Sequence, residues 1–174
     1  MPRSLADGKV KFTILTTAPA IPSAPTAAEL NAGIDASCNI LSSDFQWSAA
    51  ASDTNNEKAL CVEGNANVPG ASNYTGSMSP FRYFDTLTGA PEADEDDVFQ
   101  AAKVKGTEFW GYARETSKKS TEDWAADDEI YLGGRVVTDS PQAQATRTGY
   151  TKYTVPLLFQ EGWQFIEVGP VVGG

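Results

Sequence analysis

Val10, Phe12 and Ile14 alternate with Lys9, Lys11 and Thr13, and a two-residue period is the signature of a strand with one face on a core. The period returns in Ile34, Ala36, Cys38 and Ile40, set between Asp35, Ser37 and Asn39, and again in Phe45, Trp47 and Ala49. Residues 68–85 run from a Pro-Gly turn into an extended stretch bearing Tyr74, Phe81, Arg82, Tyr83 and Phe84. Residues 107–115 carry Phe109, Trp110 and Tyr112, and residues 129–138 carry Ile130, Tyr131, Leu132, Val136 and Val137. In residues 150–159, Tyr153, Val155, Leu157 and Phe159 share one face, and residues 163–168 read as a last short strand. About seven or eight short strands without βαβ alternation restrict the chain to a mainly β fold, an antiparallel β-sandwich or barrel.

One convincing helix interrupts the strands. Glu92, Asp94, Glu95, Asp96 and Asp97 precede Val98, Phe99, Ala101 and Ala102, with Lys103, Lys105 and Gly106 beyond, so the charges suit the dipole of a flanking α-helix. The acids lack the alternating ligands, central glycine and distal glutamate of a calcium loop. Thr26 and Glu29 have capping-box spacing and open a shorter helix that stops at Gly33. Gly133-Gly134 marks a bulge or bend within its strand.

No linker or repeat divides the 174 residues, which read as a single domain. Residues 1–9 form an N-terminal arm, residues 52–73 a long polar loop, and residues 169–174 a flexible glycine-rich tail. Three prolines between Ala18 and Pro25 require an extended connection.

Composition removes most chemistry. The chain has no histidine, which excludes Ser-His-Asp and Cys-His arrangements and the common zinc sites. The 23 acidic residues make a carboxylate pair at glycosidase separation expected by chance, so they carry no catalytic signal. No catalytic, metal-binding or cofactor residue is assigned, and no cofactor is expected. A net charge of −10 disfavours gripping nucleic acid. The first residues lack a charged-then-apolar signal segment, and no apolar run approaches the ~20 residues that span a bilayer. Cytosolic synthesis with no membrane anchor, and with Cys38 and Cys61 as free thiols, follows as the expectation. Trp124, alone among Glu122, Asp123 and Asp127, is either a local anchor or a partner contact.

Several stretches in order carry a family resemblance. They are Glu57-Lys58-Ala59-Leu60-Cys61, then Val68-Pro69-Gly70-Ala71-Ser72-Asn73-Tyr74, then Phe81-Arg82-Tyr83-Phe84-Asp85. The acidic helix follows, leading to Gly106-Thr107, Arg114-Glu115-Thr116, Lys118-Lys119-Ser120-Thr121 and Arg147-Thr148-Gly149-Tyr150. This order resembles the major tail tube proteins of long-tailed (siphovirus-type) bacteriophages, particularly those of Gram-positive hosts. The resemblance implies a structural virion protein, not an enzyme. Its copies would form hexameric rings, stacked into a tail tube around a tape measure protein and bounded by tail terminator and distal tail or baseplate proteins. It implies assembly in the host cytoplasm and passage of double-stranded DNA through an acidic lumen without specific binding. Tyr74, Phe81, Arg82, Tyr83, Phe84 and Trp124 are the candidate assembly contacts. A non-polymerising virion β-sandwich, such as a capsid decoration protein, tail terminator or adhesion module, would share the strands and the acidity.

Overall fold

The first alternating run forms β1 (Val10–Leu15) in the computed structural model, which describes residues 3–170. The later strands are β2 (Ile34–Asp35), β3 (Gln46–Ala50), β4 (Thr54–Asn55), β5 (Val68–Pro69), β6 (Asn73–Met78), β7 (Glu108–Glu115), β8 (Glu129–Thr138), β9 (Gln142–Ala143) and β10 (Tyr153–Glu167). Two short helices accompany them: α2 (Asp97–Ala102), the flanking helix expected after the acidic run, and α1 (Ala27–Asn31), the shorter one expected from the capping box. All paired strands are antiparallel, in the order β2-β1-β7-β8-β10-β6-β3, with β9 on β10 and β4-β5 as a separate ribbon.

The two ends of this sheet approach each other. Ile40 bridges Pro80, Leu41 N–H donates to Ser79 O at 3.0 Å, and Phe81 N–H donates to Asn39 O at 2.9 Å. The chain leaving β2 is thereby tied to the chain leaving β6, and the sheet curls into a barrel around Phe12, Ile14, Trp47, Met78, Phe109 and Leu132. A column of rings runs through that interior: Phe45, Phe12, Trp47, Phe159 and Tyr74 follow one another at centroid separations of 5.0, 4.9, 4.5 and 5.4 Å. Such tilted contacts suit the ring quadrupoles. The column requires missing side chains around it. A Cβ on Gly111 would lie 2.7 Å from Trp47, and one on Gly134 would lie 2.2 Å from a ring carbon of Phe159.

Several expectations change here. β1 is buried on both faces: Lys11 is 3 % exposed and Thr13 1 %. A second apolar layer covers the outside, where Leu30 of α1 and Trp124 of the connector after β7 join Tyr112, Ile130 and Val168. The second expected strand stops at Asp35, whose Oδ1 accepts from Ser37 N–H and Oγ in a tight turn, while Ser37 Oγ in turn accepts from Phe12 N–H. The run 68–85 is not one strand but breaks after Met78 into isolated bridges.

The two strands expected at 150–159 and 163–168 are one, β10, continuous through a bulge between Phe159 and Glu161. The bulge therefore lies in β10, while Gly133-Gly134 sits in regular register in β8 against Trp163 and Gly162. The loop 52–73 is a long exposed excursion stapled by β4 and β5. The tail expected to be flexible begins with an anchored residue: Gly169 is buried, bridges Thr26 and donates to Pro25 O at 2.8 Å. Met1, Pro2 and residues 171–174 lie outside the described residues.

The capping box of α1 forms as expected. Thr26 Oγ1 accepts from Glu29 N–H at 3.2 Å, and Glu29 accepts from Thr26 N–H at 2.8 Å. In α2 the acids do open the helix, but Asp96 makes no cap bond. It turns inward.

Candidate assembly surfaces

Asp96 is fully buried because Arg82 reaches it. Arg82 Nε donates to Oδ1 at 2.9 Å and Nη2 to Oδ2 at 3.0 Å, a two-point grip that matches the planar fork of the guanidinium. Tyr83 N–H and Gln100 Nε2 complete the shell at 3.0 and 2.7 Å. Burial works against ionisation of Asp96, but these donors outweigh it and hold the carboxyl below its ordinary range. The guanidinium carbon lies 3.9 Å from the ring centre of Phe99 and 4.6 Å from that of Phe84. Arg82, the backbone of Tyr83 and the ring of Phe84 thus meet Asp96 and Phe99 at the start of α2.

The six expected contact residues separate sharply. Tyr74 ends the interior aromatic column and donates to Gly162 O at 3.3 Å. Trp124 is only 3 % exposed; its indole donates to Thr13 Oγ1 at 2.8 Å, and its backbone exchanges hydrogen bonds with Asn31. It offers no surface. Phe81 and Tyr83 are half-buried, Arg82 is enclosed, and Phe84 is 42 % exposed.

A second buried cation holds the connector after β7. Arg114 is fully buried, donates to Asp128 Oδ2 at 2.8 Å, and reaches the carbonyls of Lys119, Glu122 and Asp123. Lys118 also pairs with Asp128. This cluster pins the connector, and with it Trp124, over β1.

Exposed apolar groups lie elsewhere, among them Leu60 in the 52–73 hairpin, Leu87, Tyr150, and Leu158 and Phe165 on β10. Phe165 is 69 % exposed and has φ 51, a left-handed backbone that a bulky L-residue adopts at a cost of about 1–3 kcal/mol. Leu158 was legible, since the alternation of Tyr153, Val155, Leu157 and Phe159 puts it on the opposite face. Phe165 was not, because nothing local announces its backbone.

The longest strand is also incompletely paired. β10 pairs with β8 as far as Glu167, whereas β6 covers its other side only from Val155 to Leu157 and β9 only at Tyr153 and Thr154. From Leu158 onward that side has no strand partner among the described residues. An open edge presents N–H and C=O groups as a template for another chain. Across its face, Arg135 joins Glu108 at 3.1 Å and Glu161 at 3.3 Å, an exposed ion-pair row of small energetic weight. Among the described residues no metal-ligating cluster of three or more His, Cys, Asp or Glu is present, and no helix is long and apolar enough to cross a membrane.

A curled antiparallel sheet with an unpaired strand edge, exposed apolar anchors and a projecting hairpin defines a structural β-protein equipped to associate through its surface. Comparison with known proteins agrees. A profile of the phage tail tube protein family matches residues 1–170, and the chain belongs to that family, structural components of the virion tail that assemble into a tube. Among solved structures it is similar to the SPP1 tail tube, determined by solid-state NMR and cryo EM, with 12 % identity over 92 % of this chain and 78 % of that one and a TM-score of 0.53. Comparison with curated proteins gave no match.

Proposed function

We propose that copies of this chain close into hexameric rings that stack into the tail tube, the conduit through which the genome reaches the host. The observation that carries this reading is the open edge of β10 from Leu158 to Glu167, which a neighbouring subunit would cover. Residues 1–174 act as one unit in this reading, with the arm 1–9, the hairpin 52–73 and the tail 169–174 reaching adjacent copies. Assembly takes place in the host cytoplasm around a tape measure protein, with a tail terminator and distal tail or baseplate proteins at the two ends. The net charge of −10 supports a lumen that repels the DNA backbone and lets it slide without specific contacts.

The test is negative-stain electron microscopy of the purified protein over a concentration series, with size-exclusion chromatography alongside. Rings or hollow tubes are the expected result. A strictly monomeric protein at every concentration, with and without a tape measure protein, would favour a non-polymerising virion β-sandwich.

A further inference from the structure

Lys152 immediately precedes β10 and Glu167 ends it, so the two ends of one strand carry opposite charge. Fifteen residues at about 3.3 Å each set an upper bound of roughly 45–50 Å on the separation of these ends. Resting on the tube-assembly reading above, we propose that Arg147, Tyr150 and Lys152 of one copy dock against Glu129 and Glu167 of the next, making a head-to-tail contact along the tube.

The cationic end is free and braced. Lys11, Arg82, Lys105, Arg114, Lys118 and Arg135 each pair with a carboxylate of their own subunit; Arg147 and Lys152 are among the cations that pair with none among the described residues. Between them Tyr150 is 82 % exposed, its ring held edge-on by Phe81 at 5.8 Å. Phe81 also bridges Lys152, and Arg82 N–H donates to Thr151 O at 2.9 Å. The lobe is therefore fastened to the buried Arg82–Asp96 node. An exposed Tyr between two unpaired cations, on a support that costs little ordering entropy, has the composition of an interface anchor.

The acidic end carries an unrelieved conflict. Glu129 stands directly opposite Glu167 in the β8–β10 register, both are exposed, and neither pairs with a cation among the described residues. Like charges directly opposed across a ladder are unfavourable, and a cation supplied from outside the subunit removes the penalty. Because donor and acceptor patches lie at different ends of the same strand, the contact is heterologous, and directed along the tube axis, where no rotation closes it, it repeats as a growing stack does.

The experiment compares wild type, R147E/K152E, E129K/E167K and the quadruple variant with both exchanges, by sedimentation and negative-stain electron microscopy, after circular dichroism confirms the fold of each. Each double variant is expected to raise the concentration needed for tube growth by about tenfold or more, with tube growth regained in the quadruple variant. E129Q/E167Q, which removes the repulsion without reversing charge, should melt higher than wild type as a monomer. Wild-type tubes alongside double variants that elongate equally well overturn this contact while leaving the tube reading intact. A quadruple variant that stays as defective as its parents also overturns the pairing. Wild type that forms neither rings nor tubes overturns the assembly reading, and this inference with it.

Discussion

Arg82 holds the fully buried Asp96 through two nitrogens, and the same guanidinium lies flat against Phe99. This pair joins the bridge region after β6 to the start of α2, so its loss is felt in two elements at once. Arg82→Ala should destabilise the subunit by about 3–5 kcal/mol, because it leaves a buried carboxylate uncompensated. Arg82→Lys should recover only part, since an ammonium cannot reproduce the planar fork. Replacing both partners with apolar residues (R82M/D96L) should cost much less than Arg82→Ala alone. Urea unfolding of the three variants checks the order, and a double replacement as damaging as the single one would contradict it.

Acid should unfold the subunit through a small set of carboxylates. For Asp35, Asp96 and Asp128 burial opposes ionisation, but hydrogen bonds, chiefly from Lys11, Arg82 and Lys118 respectively, outweigh it and lower the pKa. Glu29 is lowered by the backbone N–H groups of Ala20 and Thr26. A folded pKa below the unfolded one gives stability that is present above the ordinary carboxylate range and is lost as pH falls through the folded value. Stability should therefore hold from neutrality to about pH 4 and fall steeply below it. Melting temperatures between pH 7 and pH 2 test this, and Asp128→Asn should flatten part of the acid limb.

The aromatic column makes Gly134 irreplaceable in its present surroundings. A methyl group there would lie 2.2 Å from a ring carbon of Phe159, so Gly134→Ala should cost about 1–3 kcal/mol through overpacking. Phe159→Leu should remove much of that cost when combined with it, giving a double variant better than the sum of the singles. Additive losses in denaturant titration would rule out the clash as the cause.

Assembly should change what solvent reaches. Cys61 lies in the 52–73 hairpin and Cys38 in the turn after β2, and both are exposed. In the monomer both thiols should react rapidly with a disulfide reagent, and hairpin amides should exchange fast. In tubes, Cys61 and the hairpin should become protected. Equal exchange in the two states would remove the hairpin from the stacking contact.

The strands were legible where a run alternates, as in β3, or is dense in aromatic and branched residues, as in β7 and β8. What escaped depends on partners distant in sequence. Lys11 and Thr13 read as solvent-facing positions, yet each is satisfied inside: Lys11 by Asp35, and Thr13 by the indole of Trp124, 111 residues away. Two burying layers leave no polar face to alternate with. β10 read as two strands because a bulge and Gly162 interrupt its period. The association surface was only partly readable: aromatic residues in extended segments drew notice, but most of them pack inward. The exposed anchors are single apolar residues in polar loops or on the reverse face of a strand.

β10 follows β6, β8 and β9, all of its sheet neighbours, in the order of synthesis. Because β10, which bears the open edge, lies between β8 and β6 in the sheet, the β2-β1-β7-β8 and β6-β3 parts have no strand joining them until it is translated. Truncated chains that stop before Tyr153 lack that template and cannot cap a growing polymer through it. The same strand thus closes the barrel and carries the open edge, so the edge is in place only when the barrel can close.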